Sequence, residues 1–252
     1  MNMSYFKIWP IAFISSLSLF FACGTLDNTE CLKTTGEIRS YEIDLEEPFD
    51  RIAISTNVDV EITQSEIQRV ELLTGENIFE NIECQVVDGE LVFRSNSSCN
   101  WARGYGTSIL KIFTPDLEAI SSEGGGVIRS TNLLRLTNLK IDTNESSGDY
   151  HLNVDIQEEM DISSRRISNF FIEGNTKVLT LNFFSGDGRF YGENLIAEEI
   201  YVRHNGTNDI MVYPTRILEG EILLYGNLIY YNDPSEKLEV DMLSKGTLVR
   251  AN

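Results

Sequence analysis

From Tyr41 onward, apolar positions fall in short runs broken by polar or glycine-containing segments. FDRIAIS from Phe49, VDVEI from Val58 and RVELL from Arg69 predict strands. In VDVEI the apolar residues alternate with acids, the mark of a strand with one wet face. Residues Gln85 to Phe93 read QVVDGELVF, two β runs joined by Asp88-Gly89. That dipeptide tolerates the left-handed backbone a two-residue hairpin turn requires, so a hairpin is predicted there. SILKIF from Ser108 is a further run and stops before Thr114-Pro115. No segment carries a sustained apolar stripe of period 3.6, so little helix is expected.

The second half repeats. Runs containing Ile120, Ile141, Ile162, Leu181, Val202 and Leu224 recur at steps of 21, 21, 19, 21 and 22 residues. Each is followed by a small or polar break and a second run, such as Gly124-Gly125-Gly126 before Val127-Ile128, or Gly186-Asp187-Gly188 before Phe190-Tyr191. A unit this short cannot bury its own apolar face and gains a core only by lying on its neighbour. The step is also too short to hold a crossover helix comfortably. Coils of strands and turns alone are therefore predicted over about residues 117–234, six of them spanning roughly 25 to 30 Å at the spacing of stacked strands. A sandwich of regularly spaced antiparallel hairpins is the competing architecture.

The N-terminus adds a compartment. Met1 to Lys7 holds one basic residue and no acid, and Ile8 to Ala22 is uncharged, which is the layout of a signal peptide over residues 1–22. The run is shorter than the roughly 20 apolar residues a spanning helix needs. Cys23 follows Ala22 where a small-residue cleavage site is expected, the placement of a lipobox cysteine, so lipidation of Cys23 is the expectation. Phe20 and Phe21 are bulkier than the usual residues there. Acyl chains on that cysteine would hold the domain at a membrane, with residues 23–38 as a polar tether and residues 39–252 as one domain.

Past residue 22 there are 19 basic and 39 acidic residues, a balance near −20 that repels nucleic acid and anionic lipid. With 42% apolar residues the chain can still fill a core. Cys31, Cys84 and Cys99 remain, and an oxidising compartment permits one disulfide among three possible pairs. Cys84 lies in the strand-like run ECQVV, whereas Cys31 and Cys99 lie in polar segments, which favours Cys31 with Cys99.

Several blocks then carry a family resemblance: PFDRIAISTNVDVEITQ, GENIFENI, DGELVF, SNSSCNW with Arg103 and Tyr105, TPDLEAISSEGGG, and VYPTRILEGEILLYGNLIYYNDP. In this order, from Pro48 to Pro234, they resemble the head GIN domain family of auto-transporter adhesins, a domain of unknown function common in lipoproteins of Bacteroidetes. The resemblance implies an all-β, right-handed parallel β-helix-like solenoid, preceded by irregular N-terminal strands and the hairpin. It also supports Cys31 and Cys99 as the family's cysteines and leaves Cys84 as a buried free thiol. It brings no activity and no functional residues.

Candidate chemistry is sparse. His204 follows Arg203 and precedes Asp209, a base beside a cation of the kind that abstracts a proton from an acidic sugar. A lone histidine in such a turn is more often structural, and no catalytic residue is expected. Asp149, Asp187 and Asp209 follow successive breaks, but at uneven offsets, so solvated turn acids are expected rather than a calcium site. No zinc-ligand pair, phosphate loop or nucleophile elbow is present, and neither metal nor cofactor is expected. Trp101 is expected to plug the junction beside the disulfide.

Adjacent aromatic pairs are more informative, because neighbours on a strand face opposite ways. Phe171, Tyr191 and Tyr230 are the predicted outer members, able to form a platform for sugar rings or another protein. The expected function is that of a non-enzymatic outer-membrane lipoprotein, on the periplasmic or outer side, in adhesion, surface interaction or envelope structure. Carbohydrate binding is the alternative, with a polysaccharide lyase or hydrolase behind it. Expected partners are the membrane through lipid, a glycan or another envelope protein, and not nucleic acid. Open coil ends must be capped or paired, which makes a homo-oligomer a further expectation.

Overall fold

A computed structural model describes residues 35–95 and 108–251. The expectations placed on the leader, Cys23, Cys31, Cys99 and Trp101 lie outside the described residues. Within them the regular structure is almost all strand, with one four-residue helical turn, α1 (Glu76–Phe79).

The strands stack in parallel as two ladders around a shared interior, a β-solenoid. The first ladder runs from β6 (Glu90–Ser95) through β2 (Arg51–Ile54) and β8 (Ala119–Ser122). It continues through the C-terminal halves of β10 (Leu134–Thr143), β11 (Asp149–Ser164), β12 (Asn169–Phe183), β13 (Arg189–His204) and β14 (Ile210–Ile222) to β16 (Lys237–Met242). The second ladder runs from β7 (Ile109–Thr114) through β3 (Asp59–Gln64) and β9 (Ile128–Ser130). The N-terminal halves of β11 to β14 follow, then β15 (Leu228–Tyr230) and β17 (Leu248–Arg250).

The register explains the repeat. Ile120 lies opposite Ile141, then come Ile162, Leu181 and Val202, one per coil. Each is buried, and burial of such a side chain contributes about 1.5 to 3 kcal/mol. The second runs stack likewise, through Ile128, Tyr150, Phe170, Phe190, Ile210 and Leu228. Leu224 is a correction: Val202 is opposite Gly220, and Leu224 falls in the corner after β14. The pairing of β13 with β14 jumps from Tyr191–Met211 to Ile196–Tyr213, so this lap is shorter by the residues skipped. The stack also extends beyond residues 117–234 in both directions, to β2, β3, β6 and β7 and to β16 and β17.

One coil is out of chain order. β2 and β3 sit between β6 and β7 on one side and β8 and β9 on the other. Antiparallel strands close the end beyond β6 and β7. β5 (Ile82–Val87) pairs with β6 through the Asp88-Gly89 turn, where both residues have positive φ, 52° and 76°, as the sequence predicts. β4 (Arg69–Gly75) pairs with β7, and β1 (Ile38–Ile43) with β4. At the other end Leu238 and Met242, in register with buried Leu218 and Ile222, are 44% and 55% exposed.

Candidate functional site

Because successive strand residues alternate in direction, the position after each buried second-run residue faces out. This gives an outward column of Arg129, His151, Phe171, Tyr191, Met211, Ile229 and Val249, one per coil. The His151 and Phe171 rings stack with centroids 4.5 Å apart, and Phe171 and Tyr191 with centroids 4.6 Å apart, each pair tilted by 4°. The rings therefore cover one another's faces and present their rims to solvent. Phe171 and Tyr191 are brought together, but as a ladder and not as a flat tiled surface.

Tyr230 does not join them. It pairs with buried Val212, packs against the core, and has the Arg250 guanidinium 5.7 Å from its ring. Parity gives the reason: with Leu228 inward, Ile229 and Tyr231 face out and Tyr230 faces in. The Tyr231 hydroxyl donates to Met211 Sδ at 3.8 Å.

Beside the ladder the stack is interrupted. Phe171 is opposite Tyr191, yet Glu173 is opposite Asn194, so β13 carries an extra residue there. The segment from Gly192 to Leu195 accordingly departs from the neighbouring coils, as a β-bulge re-aims side chains. Glycine is required at 192, since a Cβ there would lie 2.2 Å from a Phe190 ring carbon. The result is a groove of about 380 Å³ whose lining includes Arg129, His151, Phe171, Glu173, Tyr191 and Glu193.

Most polar side chains of this groove are unengaged. Among the described residues, the side chains of His151, Asn153, Glu173, Tyr191, Glu193 and Asn194 make no hydrogen bond or ion pair. One Glu193 carboxylate oxygen is buried without a partner. Arg129 is held by Glu61. The corner residues behave differently. Asp149 accepts from Asn169 Nδ2 at 2.9 Å, Asp187 from Thr207, and Asp209 from the Asn227 backbone N–H at 3.0 Å. These acids serve separate corners, and among the described residues no group of three or more His, Cys, Asp or Glu is placed to hold a metal ion.

His204 is fully buried beside Phe183, whose ring lies nearly perpendicular at 6.3 Å. Its Nδ1 accepts the Gly206 N–H at 3.3 Å, and burial lowers its pKa, which keeps the ring neutral. Arg203 points the other way and pairs with Glu221 at 3.2 Å, so the base and cation adjacent in sequence are split across the sheet. Cys84 carries a free, half-buried thiol, which burial pushes up to about 12.

The bulge escaped the sequence reading. Its trace is a parity change, with Phe190 and Gly192 facing in and then Leu195 and Ala197.

A stack of parallel coils whose flank carries one outward column of side chains defines a β-solenoid. The chain belongs to the family described as "Putative auto-transporter adhesin, head GIN domain", whose model matches residues 48–234. Solved structures share the fold. A putative adhesin from Bacteroides fragilis is similar over 85% of this chain and 97% of its own, with 21% identity and a TM-score of 0.73. A protein from Parabacteroides distasonis, described as a putative lipid binding protein, is 18% identical over 86% and 98%, with a TM-score of 0.65. A putative adhesin from Parabacteroides merdae is 16% identical over 87% and 98%, with a TM-score of 0.57. No curated protein matches the chain.

Proposed function

We propose that this chain is a cell-envelope protein of adhesion type, held at the outer membrane by lipid on Cys23, that engages its partner by contact and not by chemical conversion. The observation that carries the reading is the match of an adhesin family's model to residues 48–234. That span takes in the flank of the solenoid with its outward column. The uncharged run Ile8 to Ala22 followed by Cys23 supports the anchor.

Two measurements test this. Mass spectrometry of the mature N-terminus is expected to find a diacylglycerol-modified Cys23, and an unmodified residue there would remove the anchor. Cells bearing the chain are expected to attach to a coated surface better than cells lacking it. Equal attachment would overturn the adhesive role.

A further inference from the structure

We infer that the groove along His151, Phe171 and Tyr191 is a binding site for a neutral, hydroxyl-rich saccharide. The inference rests on the adhesion reading and names its ligand class. Three observations carry it. The three stacked rings form a strip along the groove, with ring contacts at 4.5 and 4.6 Å. The irregularity after Gly192 interrupts the stack beside that strip. Six polar side chains lining the groove make no hydrogen bond or ion pair, although the corner acids of the same solenoid are bonded. Apolar contact with a few convergent polar groups is the general form of a small-molecule site.

The chemistry of those groups selects the ligand. Asn153 and Asn194 each offer donors and an acceptor, the Tyr191 hydroxyl both donates and accepts, and Glu173 and Glu193 accept. Sugar hydroxyls donate and accept and can satisfy all of them. A lysine or arginine side chain only donates, so it would leave the amide N–H groups unmatched. Sulfated and uronic sugars are disfavoured by the two groove carboxylates and by a chain with formal charge −19. With the ring faces occupied by one another, the saccharide lies against the rims and takes its orientation from the amides and carboxylates.

The test uses the full chain in detergent on an array of neutral gluco-, manno-, galacto- and N-acetylglucosamine oligosaccharides. Uronic and sulfated sugars and lysine-rich peptides are printed beside them. Binding to a neutral class is expected, weakened about tenfold by Asn194→Ala or Glu173→Ala, both at exposed positions, with unchanged Tm. Tyr225→Ala, an exposed aromatic outside the groove, is expected to leave binding intact. Capture of the peptides in place of neutral sugars, no neutral sugar bound, or neutral binding indifferent to both groove variants would each overturn the site. Attachment of cells carrying the variants separates the two readings. If attachment persists while neutral binding is absent or indifferent to the groove variants, the groove proposal falls and adhesion stands. If attachment never depended on the chain, adhesion falls and the array alone judges the groove.

Discussion

Gly174 sits where no other residue fits. Its φ is +119°, and a Cβ would lie 1.8 Å from the Val154 carbonyl oxygen of the preceding coil. Gly174→Ala must shift one coil off another, and a loss of about 2 to 3 kcal/mol is expected in urea unfolding. His204 gives a pH test. Its pKa is lower in the folded chain than in the unfolded one, so the unfolded chain takes up the proton first as the pH falls. This contribution is complete above about pH 6.5 and declines as the pH drops below it. The stability advantage of the native chain over His204→Gln should therefore shrink between pH 7 and pH 5, and a constant gap would refute the assignment. The Cys84 thiol, raised to about 12 by burial, should react with a thiol reagent far more slowly in the folded chain than in urea.

At the scale of the strand, the outer ladder is a stability element as well as the wall of a groove. Phe171→Ala removes two ring contacts at once and should cost about 1 to 3 kcal/mol by denaturant titration. An outward alanine substitution without such neighbours, at Tyr225, should cost less. Sequence reasoning reached the inner face because alternation and the step length are both burial constraints: Ile141, Ile162 and Val202 had to face inward and had to recur. It reached the Asp88-Gly89 turn because backbone strain is local. Tyr230 was misplaced because the pair Tyr230-Tyr231 offers two equivalent candidates, and only the count from Leu228 separates them. The bulge at Gly192 and the shortened lap that displaces Leu224 from the stack depend on the pairing of neighbouring coils. The bulge leaves only a single change of parity, and the shortened lap leaves no periodic trace.

At the scale of the molecule, a stack in which each coil touches only its neighbours should unravel from its less protected end. Leu238 and Met242 are exposed in the last coil, whereas their counterparts one coil back are fully buried. Hydrogen exchange is expected to release the amides of β16 and β17 first and those of β11 to β13 last, and uniform protection along the stack would contradict this. The opposite end has a different history. Ile52 lies between Leu91 and Ile120, a reach of 68 residues on one side, whereas Ile141 finds Ile162 only 21 residues away. A ribosome delivers the segment containing Ile52 early, yet both of its permanent neighbours exist only after residue 120 has been made. For nearly the first half of translation that stretch stays an open thread, and it shuts only when later chain wraps around it.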